Sequence, residues 1–336
     1  MAWGRFVHSL FVGAVAALAI GVSPACALDK IKVSFAANTG SYAPYFIAIE
    51  KGYFRDEGLE IEIVQAGGGT ATPALIAGDL AFSTSGSSAV NPIIRGAPLK
   101  VVMVLFDRPV LQLWTLQPEI KTLADLRGKS VAIQSRGDTF EIAMRIALKH
   151  AGLDPNSVGY TPLGFGGSTR MAALKTGAIP ATIVSSIEAQ ELKMAGALNN
   201  GRLLVDFYKE VRIPFTGSAT ADKLIRENPD RVRRYVRAVL KGMRYMRSFR
   251  DEGVAITMSY SKVAREPSEA EYDQVVASMT DDGTVTDQSI RDDAEVRAGL
   301  LNLPLDKVPP PDKIYDFSFA RAMNADLKAS GWQPTR

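Results

Sequence analysis

Residues 36–70 read AANTGSYAPYFIAIEKGYFRDEGLEIEIVQAGGGT. A polar loop, a short helix, a glycine turn, a strand and a glycine-rich loop follow one another here, and that order decides the fold. Just before it, 30–36 alternates, with Ile31, Val33 and Phe35 on one face and Lys32 and Ser34 on the other, the pattern of a strand buried on one side. Asn38, Thr39, Gly40 and Ser41 form a turn, Ser41 can cap a helix over 43–51, Pro44 is tolerated in its first turn, and Gly52 ends it. The carboxyl end of a strand therefore meets the amino end of a helix. In open α/β sheets that edge binds ligands, because free N–H groups there favour polar or anionic groups. Gly58 releases a second alternating strand, 59–65, and Gly67, Gly68, Gly69 and Thr70 lead into a helix over 72–77. A third strand, 80–83, ends in the small polar loop 84–88, and 101–106 is an unbroken apolar run of the kind buried on both faces.

The same succession returns about a hundred residues later. Strand 130–133 runs into Gln134, Ser135, Arg136, Gly137, Asp138 and Thr139 ahead of helix 140–150, and Gly58-Leu59 is answered by Gly152-Leu153. Gly67-Gly68, Thr70, Ala74-Leu75 and Gly78 match Gly166-Gly167, Thr169, Ala173-Leu174 and Gly177 at a constant offset of 99 residues. Both copies then enter an apolar strand and a serine loop, 80–88 and 181–186. A constant offset over several positions implies two similarly built lobes. Extended stretches at 112–116 and 214–219 read as crossings between them, so lobe one is 28–111 plus 220–336 and lobe two is 117–213. From 221 onward the pattern is helical. Helix 229–249 carries Val232, Tyr235, Val236, Val239, Leu240, Met243 and Met246 on one face, which packs on a lobe and leaves its basic residues solvated.

The first 27 residues stand apart: Arg5, an apolar run over 6–22, Pro24, and the small-residue ending Ala25, Cys26, Ala27. This is the layout of a cleavable secretory signal peptide. Cleavage after Ala27 removes the single cysteine and one of the two histidines. What remains can form no disulfide, no cysteine nucleophile and no cysteine-based metal site. His150, at the end of a helical pattern, reads as a solvated helix terminus. The mature balance of 38 basic against 36 acidic residues points to neither nucleic acid nor anionic membrane as a partner. No catalytic residue, metal ligand or cofactor site is identified.

The runs KGYFRDEGLEIEIVQAGGGT (51–70), ALIAGDLAFS (74–83), TLADLRGKSVAI (122–133) and AALKTGAIPATI (172–183) resemble the nitrate/sulfonate/taurine and thiamine-pyrimidine precursor binding proteins of ABC importers. The resemblance implies an α/β, two-lobed periplasmic-binding-protein fold of type II, with two crossover segments and C-terminal helices. It also implies a periplasmic monomer that closes on a small organic ligand and delivers it to an inner-membrane ABC permease with its cytoplasmic ATPase. By position, the cleft should be lined by Asn38, Thr39, Ser41 and Tyr42, by Gly67, Ser85 and Ser87, by Gln134, Ser135, Arg136, Asp138 and Thr139, and by Ser185, Glu188 and Thr216. N–H groups at the helix starts after Gly40, Ser87 and Gly137 can hold an anion, with hydroxyls as further donors. Arg136 can pair bidentately with a carboxylate or sulfonate, or lie on the surface beside Asp138. Asp138 can cap the following helix or meet an amine of the ligand. Tyr42, Trp114, Phe140 and Phe165 offer aromatic walls. A small organic anion, a sulfonate or an aromatic carboxylate, is the first expectation for the ligand, and a neutral or cationic pyrimidine the alternative. A pyrimidine-synthesis enzyme, the remaining branch of the resemblance, requires a cysteine-rich motif that the mature chain lacks.

Overall fold

The computed structural model describes residues 27–164 and 167–336. The signal peptide expected over 1–27 lies outside the described residues save for Ala27, and so does Phe165. Ten strands run in chain order: β1 (Asp29–Phe35), β2 (Leu59–Gln65), β3 (Phe82–Ser83), β4 (Leu99–Val104), β5 (Leu111–Thr115), β6 (Ser130–Ile133), β7 (Gly159–Pro162), β8 (Ala181–Ser185), β9 (Arg202–Asp206) and β10 (Gly217–Ala221). They form two five-stranded sheets ordered β2-β1-β3-β10-β4 and β7-β6-β8-β5-β9. The plans are the same. In each sheet the first three strands are parallel, and the fourth is an antiparallel strand supplied by chain arriving from the other lobe.

The 99-residue repeat is thus a repeat of topology. Helices Gly68–Ala77 and Gly167–Lys175 occupy equivalent places. Leu75 and Leu174 are both buried, and Gly78 and Gly177 both turn the chain with φ of +85° and +74°, a region that penalises any residue with a Cβ.

Residues 112–116, read as the first crossing, are instead strand for most of their length. β5 pairs with β8 on one side and β9 on the other, and Gln112, Leu113, Trp114 and Thr115 are all buried. A crossing and a short strand are both extended chain, so only the ladder partners tell them apart. The chain actually passes between lobes at 105–110 and returns at 212–216. These two segments bond to each other: Leu105 N–H to the Thr216 carbonyl (2.6 Å), Phe215 N–H to that of Phe106 (2.9 Å), and Ile213 N–H to that of Asp107 (2.9 Å). Two paired connections of this kind make a natural hinge.

Lobe one packs around Phe35, Phe46, Phe82 and Tyr235, with Phe82 stacked on Tyr235 at 3.7 Å between centroids. The helix Pro229–Ser248 buries all seven apolar residues of its predicted face. Its basic side is tied down by acids, Asp29 meeting Arg231 at 2.7 Å and Arg234 at 3.2 Å. Lobe two packs around Leu113, Val131, Ile133, Ile142, Ile146 and Ile183. The C-terminal helices do more than cover lobe one. Arg265–Ala277 lies against the lobe-two helix Ser186–Met194, and Asp287–Leu301 lies against Thr139–His150, placing Val296 in the lobe-two core.

Candidate ligand-binding cleft

The carboxyl ends of both sheets face each other across a cleft whose inner chamber has a volume of about 230 Å³. Thr39, Ser41 and Tyr42 enter it from the loop after β1, and Ser85 and Ser87 from the loop after β3. From lobe two come Gln134, Ser135, Asp138 and Thr139 after β6, and Ser185 and Glu188 after β8, while Thr216 stands on the return crossing. Three expected residues are elsewhere. Asn38 is exposed and accepts a bond from Gln65 Nε2 at 3.3 Å. Gly67 sits at the start of the helix Gly68–Ala77, and its neighbour Gly68 faces the chamber instead. Arg136 lies in an outer vestibule, its side chain 59% exposed and 3.5 Å from Glu141 Oε1. Of the aromatic walls, Tyr42 and Phe140 line the chamber, whereas Trp114 is buried in lobe two with its indole N–H bonded to Gln112 Oε1.

Of the three helix starts expected to hold an anion, those at Gly40 and Gly137 have carboxylate partners, as do the loops at Ser135 and Ser185, whereas the helix Gly86–Ile94, which carries Ser87, has no side-chain cap. Gly40 N–H donates to Glu271 Oε2 (2.9 Å), Ser135 N–H to Asp138 Oδ2 (2.7 Å), Gly137 N–H to Glu141 Oε2 (2.9 Å), and Ser185 N–H to Glu188 Oε2 (2.7 Å). Asp138 also caps its helix, Oδ1 accepting Glu141 N–H at 3.0 Å. At these N–H groups the chain's own carboxylates fill the positions an anionic ligand would take. Burial pushes the Asp138 carboxyl up to about 6 despite these bonds, with the like charge of Glu141 adding to the rise. Burial likewise pushes Glu271 up to about 7, opposed by the Gly40 N–H and reinforced by Glu188 and Glu191.

Two buried arginines stiffen the walls from behind. Arg170 holds both Glu188 oxygens at 3.1 Å and donates to the Ile183 and Gly164 carbonyls. Arg297, fully buried beside Asp293 (2.7 Å), donates to Ser87 Oγ and Asn91 Oδ1, both at 2.9 Å. Those two side chains in turn bridge the lobes: Thr139 Oγ1 donates to Ser87 Oγ (3.2 Å), and Asn91 Nδ2 to the Gly137 carbonyl (3.3 Å). Gly137 is required here, since its φ is +73° and a Cβ would press on the Asn91 amide.

Several contributors escaped the sequence reading. Phe215 lay inside a segment taken as connection, Thr84 and Ser88 inside a generic turn, and Glu271 and Arg297 on amphipathic helices whose charges resemble a solvated face. The spacing Ser185-x-x-Glu188 was a readable signal, for it is the capping box that the structure forms.

Two α/β lobes of one plan, joined by paired crossings around a polar chamber, define a periplasmic-binding-protein fold. A family model described as NMT1/THI5 like matches residues 39–252, and the chain belongs to that family. The riboflavin-binding protein RibY of Chloroflexus aurantiacus is 28% identical over 257 residues, covering 73% of this chain and 70% of that protein. Among solved structures, a Bordetella bronchiseptica protein superposes with a TM-score of 0.75 at 19% identity, covering 89% of this chain and 98% of that one. The alkanesulfonate-binding protein SsuA of Xanthomonas axonopodis pv. citri, bound to MOPS, gives 0.70 at 15% identity over 85% and 98% of the two chains. The nitrate-binding protein NrtA of Synechocystis PCC 6803 gives 0.66 at 16% identity over 92% and 91%. At such identities these structures share the fold, the one expected from the resemblance; SsuA and NrtA are themselves binding proteins. Among the described residues no helix is long and apolar enough to cross a membrane.

Proposed function

We propose that this chain is an exported, periplasmic receptor whose inner chamber takes a planar nitrogen heterocycle bearing N–H donors and hands it to an ABC permease. One observation carries the reading: the chamber presents the carboxylates of Asp138 and Glu188 and, among the described residues, no basic side chain lines it. An anion brought within 4 Å of Asp138, which forms no ion pair among the described residues, meets a repulsion of about 4 kcal/mol at an effective dielectric of 20, whereas the charge of Glu188 is offset by Arg170 behind it. A ring N–H or amino group instead donates to these carboxylates, while Tyr42, Phe140 and Phe215 flank its faces. The pyrimidine alternative therefore takes precedence over the organic anion. The riboflavin named for the Chloroflexus relative is a heterocycle of this class, with an imide N–H.

Calorimetric titration of the mature protein with riboflavin, an aminopyrimidine and an alkanesulfonate tests the reading. Heat of binding is expected with one of the heterocycles. Saturable binding of the alkanesulfonate alone would overturn it.

A further inference from the structure

Beside the inner chamber lies an outer vestibule of about 850 Å³, and Gly68, Ser88, Ser135 and Asp138 wall both. We propose that this vestibule is a second subsite, holding an anionic group, a phosphate or carboxylate, tethered by a flexible chain to the ring in the inner chamber; the inference rests on the heterocycle reading above.

The charge pattern changes from one space to the other: Asp138 borders both, Glu188 lines the inner chamber alone, and the vestibule adds basic groups. The vestibule is flanked by two guanidinium groups, Arg95 from lobe one and Arg136 from lobe two. Arg95 is exposed at the end of the helix Gly86–Ile94, and among the described residues no carboxylate lies within 4 Å of it. Among the described residues Arg136 has one ion partner, Glu141 at 3.5 Å, and lies 5.8 Å from the Tyr160 ring centroid, while the Glu141 carboxylate is already held by Arg145 at 2.7 Å and by Gly137 N–H at 2.9 Å. Both guanidinium groups are therefore open to a further anion, and their planar forks suit phosphate and carboxylate oxygens.

Size points the same way. At about 230 Å³ the inner chamber falls below the roughly 300–1,000 Å³ of ordinary ligand pockets, so it accommodates a ring system better than a ring with its chain. The wall shared at Ser88 and Ser135 sets the two spaces side by side, so a chain leaving the ring there would reach the arginines beyond the Asn91 amide. Because Arg95 and Arg136 stand on opposite lobes, an anion bound by both also favours the closed arrangement.

Riboflavin and riboflavin 5′-phosphate, which differ only in the phosphate at the chain's end, are the probes, titrated by quenching of flavin fluorescence. The phosphorylated form is expected to bind roughly tenfold more tightly at low salt, an advantage that shrinks at high salt. Arg95→Ala and Arg136→Ala should each reduce it, and the double variant should bring the two flavins to the same affinity. Both side chains are exposed, so the variants keep the fold, which circular dichroism checks. Equal or weaker binding of the phosphorylated form, or an advantage that survives in the double variant, overturns the vestibule subsite while leaving the ring reading intact. If riboflavin with excess inorganic phosphate matches the phosphorylated flavin, the tether is wrong. Binding of neither flavin, and of no other heterocycle, removes the ring reading and this inference with it.

Discussion

Glu271→Gln should make the protein markedly more stable at pH 8 and only slightly more stable at pH 5. Glu271 is 2% exposed, its Oε2 accepts the Gly40 N–H at 2.9 Å, and among the described residues it forms no ion pair. Burial, with Glu188 and Glu191 nearby, pushes its carboxyl from 4.5 up to about 7. Between those values the native state keeps a proton that the unfolded chain has released, so unfolding free energy falls as pH rises through this window. The penalty is complete above pH 7 and absent below about 4.5. Its ceiling is about 3 kcal/mol, from 1.36 kcal/mol for each pH unit separating the two states. Glutamine retains an oxygen for the Gly40 N–H and removes the charge. Urea unfolding of both proteins at half-unit steps from pH 5 to 8 measures the difference, in which titrating groups that do not couple to Glu271 cancel. A variant no more stable than the parent at pH 8, or one stabilised equally at pH 5 and pH 8, would refute the argument that a buried unpaired charge is being tolerated at the cleft.

Other expectations follow from neighbouring features. Because Asp138 titrates near 6, binding of a neutral N–H donor such as riboflavin should weaken as pH falls from 7 to 5, and Asp138→Asn should flatten that dependence in the same fluorescence titration. Arg297→Leu leaves Asp293 buried without its partner and should cost about 3–5 kcal/mol in urea unfolding. Asn91→Ala removes the inter-lobe bond to the Gly137 carbonyl and also an acceptor of buried Arg297, and should cost about 2–3 kcal/mol, read as a shifted urea midpoint. Gly242→Ala places a Cβ onto the Pro44 carbonyl oxygen, where helices Ala43–Glu50 and Pro229–Ser248 touch. The overlap should destabilise by about 1–3 kcal/mol, outweighing alanine's better helix propensity.

Much of the architecture was legible from local pattern. Alternation marked β1 and β2, glycines marked the points where the chain must take a positive φ, and the constant spacing from Gly68 to Gly167 announced a second lobe built on the plan of the first. Loops at the carboxyl ends of strands could likewise be placed around one cleft, because strand direction and helix direction follow from their order. The sheet membership of β5 could not, since extended chain carries no mark of what it will pair with. A short apolar segment such as 111–115 reads the same whether it spans two lobes or fills a gap between β8 and β9.

The sequence by itself therefore determined which groups face the cleft in kind: hydroxyls, small residues and backbone N–H at helix starts. Only the tertiary structure decided which of them are free. Glu271 reaches the Gly40 N–H from 231 residues away, and Arg297 aims Ser87 and Asn91 across the lobes from a helix near the end of the chain. A donor's availability depends on every acceptor folded within about 3 Å of it, a non-local property that residue spacing does not encode. That is why the loops could be found from their composition while their charge preference, carboxylates within and guanidinium groups at the rim, waited on the fold.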